Sequence, residues 1–408
     1  MMVALQDVCI SISDGDHNAP PKTINVDSVP FVTISDMQPE YGDFDYSGAS
    51  RVPVAYYDRL AEIRKPKKGD VVYSVVGSFG IPILVKNNDP FVFQRHIAIL
   101  RPNNDLILSE YLYYLMRSRS FFAWADSAAI GAAQRTITLS ALRNKQIALP
   151  SLEDQANIVT KLRPYDSLIE NNRKQIKLLE EAAQRLYKEW FIDLRFPGHE
   201  TTEINPETGL PEGWINRRLY EVVDITRGVA YTSDTLSADR GKRLLNLGNL
   251  MPFGGFRDGY EKYYLGKYDN RHILSGGDVV LGLTEQAEGL AGYAARIPSY
   301  LDSSLFSADL ALLQPRRISS EYLYSSLRYG NLSRALSPFA SGAKIKHLKP
   351  DHLRGVEIIV ADDATVKSFS GIVRMLLTKQ DACRQAMSKL CEARDRLLPK
   401  LMSGELEV

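Results

Sequence analysis

The 408-residue chain is poor in the residues that carry most recognisable chemistry. It has three cysteines, Cys9, Cys383 and Cys391, and none stands in a Cys-x-x-Cys pair or beside histidine at zinc-ligand spacing. A disulfide framework and a structural metal are therefore not expected. Gly-x-Gly-x-x-Gly and Asn/Asp-Pro-Pro-Tyr/Phe are both missing, which argues against methyl transfer from S-adenosylmethionine by this chain. The lack of a Walker A sequence excludes encoded ATP-driven movement. Asp258-Gly259-Tyr260-Glu261-Lys262 has nuclease residue types without the Glu-x-Lys spacing, and it reads as a polar hairpin. No apolar run is long enough to span a bilayer, and the first residues lack a signal-peptide pattern. A soluble, cytoplasmic protein is expected. Excess charge is missing too, since the net value is +1. Residues 1–150 carry 15 basic and 15 acidic groups, and residues 206–360 carry 19 and 17. Neither region is a polycation. If nucleic acid is a partner, the basic groups must be sorted onto one face, or another subunit must supply phosphate contacts.

What the chain does have is a second copy of itself. Residues 107–113 read Ile-Leu-Ser-Glu-Tyr-Leu-Tyr, and residues 318–324 read Ile-Ser-Ser-Glu-Tyr-Leu-Tyr, an offset of 211. At the same offset Arg117 falls on Arg328, Gly131-Ala132 on Gly342-Ala343, Leu142-Arg143 on Leu353-Arg354, and Arg185-Leu186 on Arg396-Leu397. Gly69-Asp70-Val71-Val72 reappears as Gly277-Asp278-Val279-Val280. A period this long is a duplicated domain rather than a solenoid unit. It predicts a pseudo-twofold internal repeat.

Residues 1–150 read as mixed α/β. Val71 to Val76, Ile81 to Val85 and His96 to Leu100 are strand-like, with Gly77 to Gly80 as punctuation. Ser109 before Glu110-Tyr111-Leu112 reads as a helix cap. From about residue 153 the pattern becomes a heptad seam: Ile158, Leu162, Tyr165, Ile169, Asn172, Ile176, Leu179, Ala183, Leu186 and Trp190. Acidic groups at Glu153 and Asp154 suit a helix start, and Pro197-Gly198 is expected to stop the helix. At about 1.5 Å per residue it would be roughly 55–60 Å long. Shifted by 211, the seam becomes Phe369, Val373, Leu376, Gln380, Cys383, Met387, Leu390, Arg394, Leu397 and Leu401. Gln380 and Arg394 are polar breaks, Asn172 is a candidate register-fixing contact, and Pro399 is expected to end or kink the helix. The same seam also suits a helix buried in an ordinary core. Two long helices with matched seams favour an intramolecular antiparallel coiled coil. The expected organisation is an α/β domain over 1–150, a spacer helix over 151–197, a second α/β domain over 198–360, and a C-terminal helix and tail over 361–408.

Several stretches resemble one family. They are Leu149-Pro150-Ser151-Leu152-Glu153-Asp154-Gln155, Leu168-Ile169-Glu170-Asn171-Asn172, and Leu179 through Phe191. Leu210-Pro211-Glu212-Gly213-Trp214 and the C-terminal Glu392 to Leu406 continue the likeness. Together they resemble the DNA-specificity (S) subunit of type I restriction–modification systems, over essentially the whole chain. The resemblance implies two target recognition domains, each reading one half of an asymmetric, split site in double-stranded DNA. It implies two methyltransferase subunits docked on this chain and restriction subunits joined through them. The helices would then set the spacer between half-sites. No cofactor is expected in this chain; S-adenosylmethionine, ATP and Mg would belong to the partner subunits. The alternative is a non-catalytic coiled-coil adaptor of another DNA-modifying complex. One departure stands out. The first domain lacks the Leu-Pro-x-Gly-Trp opening and starts near Leu5-Gln6-Asp7-Val8, so it is either trimmed or completed by the C-terminal tail.

Two loops are candidates to face DNA. Gly131-Ala132-Ala133-Gln134-Arg135 aligns with Gly342 through His347, which includes Lys344 and Lys346. Gln134 and Arg135 suit adenine and guanine edges, and lysine suits guanine or phosphate; each loop also reads as a solvated turn. The second candidate is Asp14-Gly15-Asp16-His17-Asn18 with Lys22, either as a turn presenting His17 or as a metal set. Its counterpart lies around Thr226 to Tyr231, where Arg227 and Tyr231 suit phosphate and sugar. Lys65, Lys67 and Lys68 read as a solvated turn. Trp190-Phe191 suits core packing or a docking anchor.

Overall fold

Uninterrupted apolar runs become strands that are covered on both faces. In the first half, β1 (Cys9–Asp14), β2 (Val71–Ser74), β3 (Pro82–Leu84) and β4 (Ile97–Pro102) form an antiparallel sheet in the order β1-β4-β2-β3. Val71, Tyr73, Ala98 and Leu100 enter one core with Leu5, Val8, Tyr111 and Leu112. Their neighbours Val72, Ile97 and Ile99 enter the opposite core with Val32, Phe91 and Phe93. Successive side chains point to opposite faces, so burial of both faces removes the polar alternation of a half-exposed strand. The computed structural model describes residues 1–406 apart from 19, 47, 133, 261, 331 and 343–345.

The helix α1 (Ser109–Arg117) follows β4, but Ser109 does not cap it. Leu108 is the N-cap, and its N–H donates to Gln155 Oε1 at 2.8 Å. The Ser109 hydroxyl instead donates to Asn104 Oδ1. Gln155 is fully buried, and its amide also donates to the Leu106 and Pro150 carbonyls, so it ties the start of the next helix to this loop. That helix is α2 (Leu152–Tyr187), whose first turn is closed by Ser151 Oγ accepting from Asp154 N.

The second half repeats the sheet. β5 (Val223–Arg227), β6 (Val279–Gly282), β7 (Ala294–Arg296) and β8 (Leu310–Pro315) lie in the order β5-β8-β6-β7, all antiparallel. Val279, Leu281 and Leu313 face one core, and Val280, Leu310 and Leu312 the other. α3 (Ser320–Arg328) has the cap its counterpart lacks, because Ser319 Oγ accepts from Tyr322 N at 3.0 Å. The last long element is α4 (Asp363–Met402).

The repeated Gly-Asp pairs have a common cause. Gly69 and Gly277 hold φ of +93° and +96°, in the left-handed region that favours glycine. Asp70 and Asp278 then accept from the backbone N–H three residues earlier, Lys67 and Ser275, each at 2.7 Å. Asp70 is also gripped by Arg101 at 2.8–2.9 Å. Among the described residues Asp278 has no such cation, and burial raises its carboxyl pKa.

The chain divides into unit 1, Met1–Asn172 with Ala386–Val408, and unit 2, Arg173–Gln385. Each unit takes one α/β region and part of each long helix. Within both units the two helical segments run antiparallel. In unit 1, Ile158 and Leu162 share a core with Leu398 and Leu401. In unit 2, Tyr187, Trp190 and Phe191 pack around Phe369, and Gln380 Nε2 reaches the Ile176 carbonyl and Glu180. Trp190 and Phe191 are therefore core residues.

Several details depart from the expected seam. Ile169, Ala183, Phe369, Val373, Cys383 and Met387 are buried, while Tyr165, Asn172, Ile176, Leu179 and Leu390 are half-buried. At three steps burial moves one residue along: Tyr187, Leu377 and Leu398 are buried beside half-buried Leu186, Leu376 and Leu397. The α/β cores recruit side chains there that a two-helix seam alone would not. Asn172 fixes no register, because its amide donates to the Leu168 carbonyl of its own helix. The polar breaks are inside: Gln380 is buried, and among the described residues Arg394 is the largest fully buried side chain. Pro399 does not end α4, which runs on to Met402 because Leu398 and Leu401 are held in the unit 1 core. Nor does Pro197-Gly198 stop the first helix. α2 passes into a π-helical turn, Lys188–Ile192, and the chain leaves at Leu194 with a φ of 56°.

The C-terminal segment completes unit 1. Leu398 and Leu401 join Leu5, Val8 and Ile147 in its core, with Met402 packed alongside. In unit 2 the Leu-Pro-x-Gly-Trp opening has its own use, since Trp214 stacks on Phe196 and Phe191 and donates Nε1–H to Asp362. Among the described residues no helix is long and apolar enough to cross a membrane.

Candidate nucleic-acid interface

One end of the unit 1 sheet gathers four loops by backbone hydrogen bonds alone. Beyond β1, Gly15 N donates to Ile97 O and Asp16 N to Phe93 O, while Arg95 N donates back to Asp16 O. Beyond β2, Val75 N donates to His96 O. The segment 130–137 joins them through Ile137 N to Val75 O and Gly77 N to Arg135 O, and Ile130 and Thr136 exchange both bonds. The side chains of Asp16, His17, Arg95, His96, Gln134, Arg135 and Thr136 therefore belong to one sheet end.

Unit 2 repeats most of this frame. Gly228 N donates to Leu310 O, Val229 N to Phe306 O, Ala308 N to Val229 O and Leu283 N to Asp309 O. Leu348 N donates to Leu283 O, and Ser341 and His347 exchange both bonds. Gly15 thus corresponds to Gly228. At each, a Cβ would fall far inside contact distance of carbonyl oxygens, of Phe93 and Gln94 in one case and Phe306 and Ser307 in the other. Arg227 to Tyr231 hold the backbone positions of Asp14 to Asn18. By the same bonds Arg95 corresponds to Ala308, His96 to Asp309, Thr136 to His347 and Arg135 to Lys346.

The frame is shared and the chemistry is not. In unit 1, Arg135 is exposed, donates to Asp126 Oδ1 at 2.5 Å and lies over the Phe79 ring at 5.3 Å. Phe79 in turn stacks on Phe122, itself half-exposed. Gln134 is exposed. Gly131 holds a φ of +99°, and a Cβ there would meet the Gln134 carbonyl, so the turn itself requires glycine. His17 pairs with Asp14 at 2.6 Å, and Lys22 is exposed. Asp14 also faces Arg64, whereas Asp16 accepts from Tyr56 and Asn18. The carboxylates therefore serve different partners rather than one metal position, and no cluster of metal-ligating groups occurs among the described residues. The pKa of His96 is lowered by burial and by neighbouring Arg95, which favours the neutral ring. The run of lysines is a turn held by Glu62, which pairs with Lys65 and Lys67.

In unit 2, Lys346 and His347 are exposed on a short strand paired with Thr284 and Glu285. Glu285 does not face outward chemistry, since its carboxylate accepts the N–H groups of Gly289, Leu290 and Ala291. Thr284 donates to Asp309 Oδ1 at 2.8 Å and lies 3.3 Å from His347 Nδ1. Arg227 donates Nε–H to the Ala308 carbonyl. Tyr231 is half-buried, and its hydroxyl pKa is raised by burial and then by Asp309. Lys344 lies outside the described residues. Sequence reading missed Arg95, His96, Thr284 and Asp309. The turns before β4 and β8 look like ordinary connections whose own residues differ, and the hydrogen-bond frame shows them to be equivalent.

Comparison with known proteins shows what this chain is similar to. Residues 1–181 match the type I restriction modification DNA specificity domain. The chain is 24% identical over 396 residues to the type I restriction enzyme MjaIX specificity subunit of Methanocaldococcus jannaschii, covering 93% of this chain and 87% of that one. It is 21% identical over 408 residues to the HindI specificity subunit of Haemophilus influenzae, covering 83% and 87%. The fold matches a crystal structure of a type I restriction–modification S subunit from M. genitalium with a TM-score of 0.56 at 15% identity, over 98% of this chain and 95% of that one. Over most of its length the chain is similar to type I restriction enzyme specificity subunits.

Proposed function

We propose that this chain is the sequence-reading subunit of a type I restriction–modification complex, and that each unit reads one half of a bipartite, asymmetric site in double-stranded DNA through its sheet-end loops. One observation carries the reading: a hydrogen-bond frame repeated in both units presents different polar side chains at equivalent positions. A shared frame gives both units the same approach to a duplex, and different side chains give different sequences. The modest basic content fits a subunit that relies on partners for part of the phosphate contact. The family and its relatives' names support a place beside methyltransferase and restriction subunits. Catalysis, S-adenosylmethionine, ATP and Mg then belong to those subunits.

Incubation of the full chain with a random duplex pool at moderate salt, followed by sequencing of bound DNA, tests the reading. A two-part motif with a fixed gap is expected. Retention of DNA without sequence enrichment would refute it. If the chain alone transferred methyl groups, the division of labour would be wrong.

A further inference from the structure

The turn before β4 carries Arg95-His96, and the equivalent turn before β8 carries Ala308-Asp309. At one place in a repeated frame, unit 1 offers a cation and an imidazole where unit 2 offers a carboxylate. Among the described residues, Arg95 has no ion pair and no side-chain hydrogen bond, and it is exposed. Asp309 is partly exposed, and Thr284 satisfies its Oδ1. Its Oδ2 has no partner among the described residues. A carboxylate facing the DNA backbone would be repelled by phosphates. It has a favourable place on a duplex opposite a base amino group in the major groove, which cytosine N4 and adenine N6 provide. Arginine meets the complementary case, the O6 and N7 acceptors of guanine.

We infer that Asp309 determines specificity by accepting a hydrogen bond from an exocyclic amino group, of cytosine or adenine, in the half-site read by unit 2, while Arg95 takes a guanine in the half-site read by unit 1. The inference rests on the DNA-reading function proposed above. Thr284 is a positioning residue: its hydroxyl fixes one carboxylate oxygen and leaves the other to the base. His347, beside Thr284, holds the same array from the neighbouring strand.

The experiment is binding selection with the full chain, wild type against Asp309→Asn and Arg95→Gln. Asp309→Asn keeps the oxygen that accepts from Thr284 and replaces the other acceptor with a donor, so the fold is retained. It is expected to lose about tenfold of preference at one cytosine or adenine in one half of the motif, with every other position unchanged. Duplexes in which that base is 2-pyrimidinone or purine, each lacking the amino group, then bind wild type about tenfold more weakly and bind the variant unchanged. Whichever analogue has the effect identifies the base. Arg95→Gln relaxes one guanine in the other half, and 7-deazaguanine there reproduces the loss. Uniform weakening of all positions by Asp309→Asn, or an unchanged motif, overturns the inference while leaving DNA reading intact. Absence of any enriched motif with the wild type overturns both.

Discussion

Arg394 offers the most direct check on how unit 1 is held. Its side chain is fully buried, and the guanidinium donates to Asp166 Oδ1 at 2.7 Å, Asp395 Oδ1 at 2.9 Å and the Glu40 carbonyl at 3.0 Å. Asp166 is fixed from its other oxygen by the Tyr114 hydroxyl at 2.6 Å. Burial works against the charged guanidinium, but the carboxylates outweigh it and hold the pKa above its usual value. Removing one partner of a buried pair costs about 3–5 kcal/mol. Asp395 is half-exposed, so its share is screened and small. Arg394→Ala leaves a cavity and an orphaned Asp166, and about 3–4 kcal/mol is expected. Arg394→Met refills most of the volume but still orphans Asp166 and the Glu40 carbonyl, so about 2–3 kcal/mol is expected. Asp166→Asn leaves the cation two acceptors and should cost about 2 kcal/mol. Trp124 is the single tryptophan of unit 1, so urea unfolding followed by its fluorescence in a Trp190→Phe/Trp214→Phe background reports that unit. If Arg394→Met lies within about 0.5 kcal/mol of the parent, whatever Arg394→Ala costs, the buried cation does not hold this unit together.

Other predictions follow from the repeated frame. Gly15→Ala and Gly228→Ala should each cost about 3 kcal/mol, or roughly 6–12 °C in melting temperature; a negligible shift in either would mean the turn tolerates a Cβ. Asp70→Asn strands Arg101 and should destabilise more at pH 7 than Asp278→Asn, measured by urea midpoints. The raised pKa of Asp278 means that the native state binds more protons than the unfolded chain between the ordinary carboxyl value and the raised one. Stability therefore falls as pH rises through that window, and Asp278→Asn should flatten that fall; an unchanged pH profile would refute it. Arg135→Gln should weaken DNA binding evenly across sequences and reduce the salt slope by about 1, as expected for a phosphate contact. A change at one motif position would instead make Arg135 a base reader.

Much of the architecture was legible because it rests on periodicities. The 211-residue offset located both α/β regions, and the 3.5-residue spacing located α2 and α4. What escaped depends on tertiary choice. Ser109 has the sequence of a cap, yet Gln155, far away in sequence, supplies the acceptor at Leu108. Leu376 and Leu377 are equally apolar, and only the packing of unit 2 selects the second. Pro399 is tolerated because the apolar residues around it are anchored. At the candidate interface, Gly131 to Arg135 was visible through its repeated glycine. Arg95 and Asp309 were not, because nothing in Gln94-Arg95-His96 resembles Ser307-Ala308-Asp309 as text. The equivalence of the two turns shows in the backbone bonds of Arg95 and Val75 against those of Ala308 and Leu283, not in the side chains the turns carry.

The discontinuous make-up of unit 1 has a consequence for synthesis. Unit 2 is one continuous stretch, Arg173–Gln385, and everything it needs leaves the ribosome in order. Unit 1 is made first but lacks Arg394, Leu398 and Leu401 until unit 2 has been read through. At about 5–20 residues per second the nascent unit waits roughly 10–50 s with Ile158 and Leu162 uncovered. The first α/β region to be translated is thus the last to be finished, and its assembly reports that unit 2 has already been made.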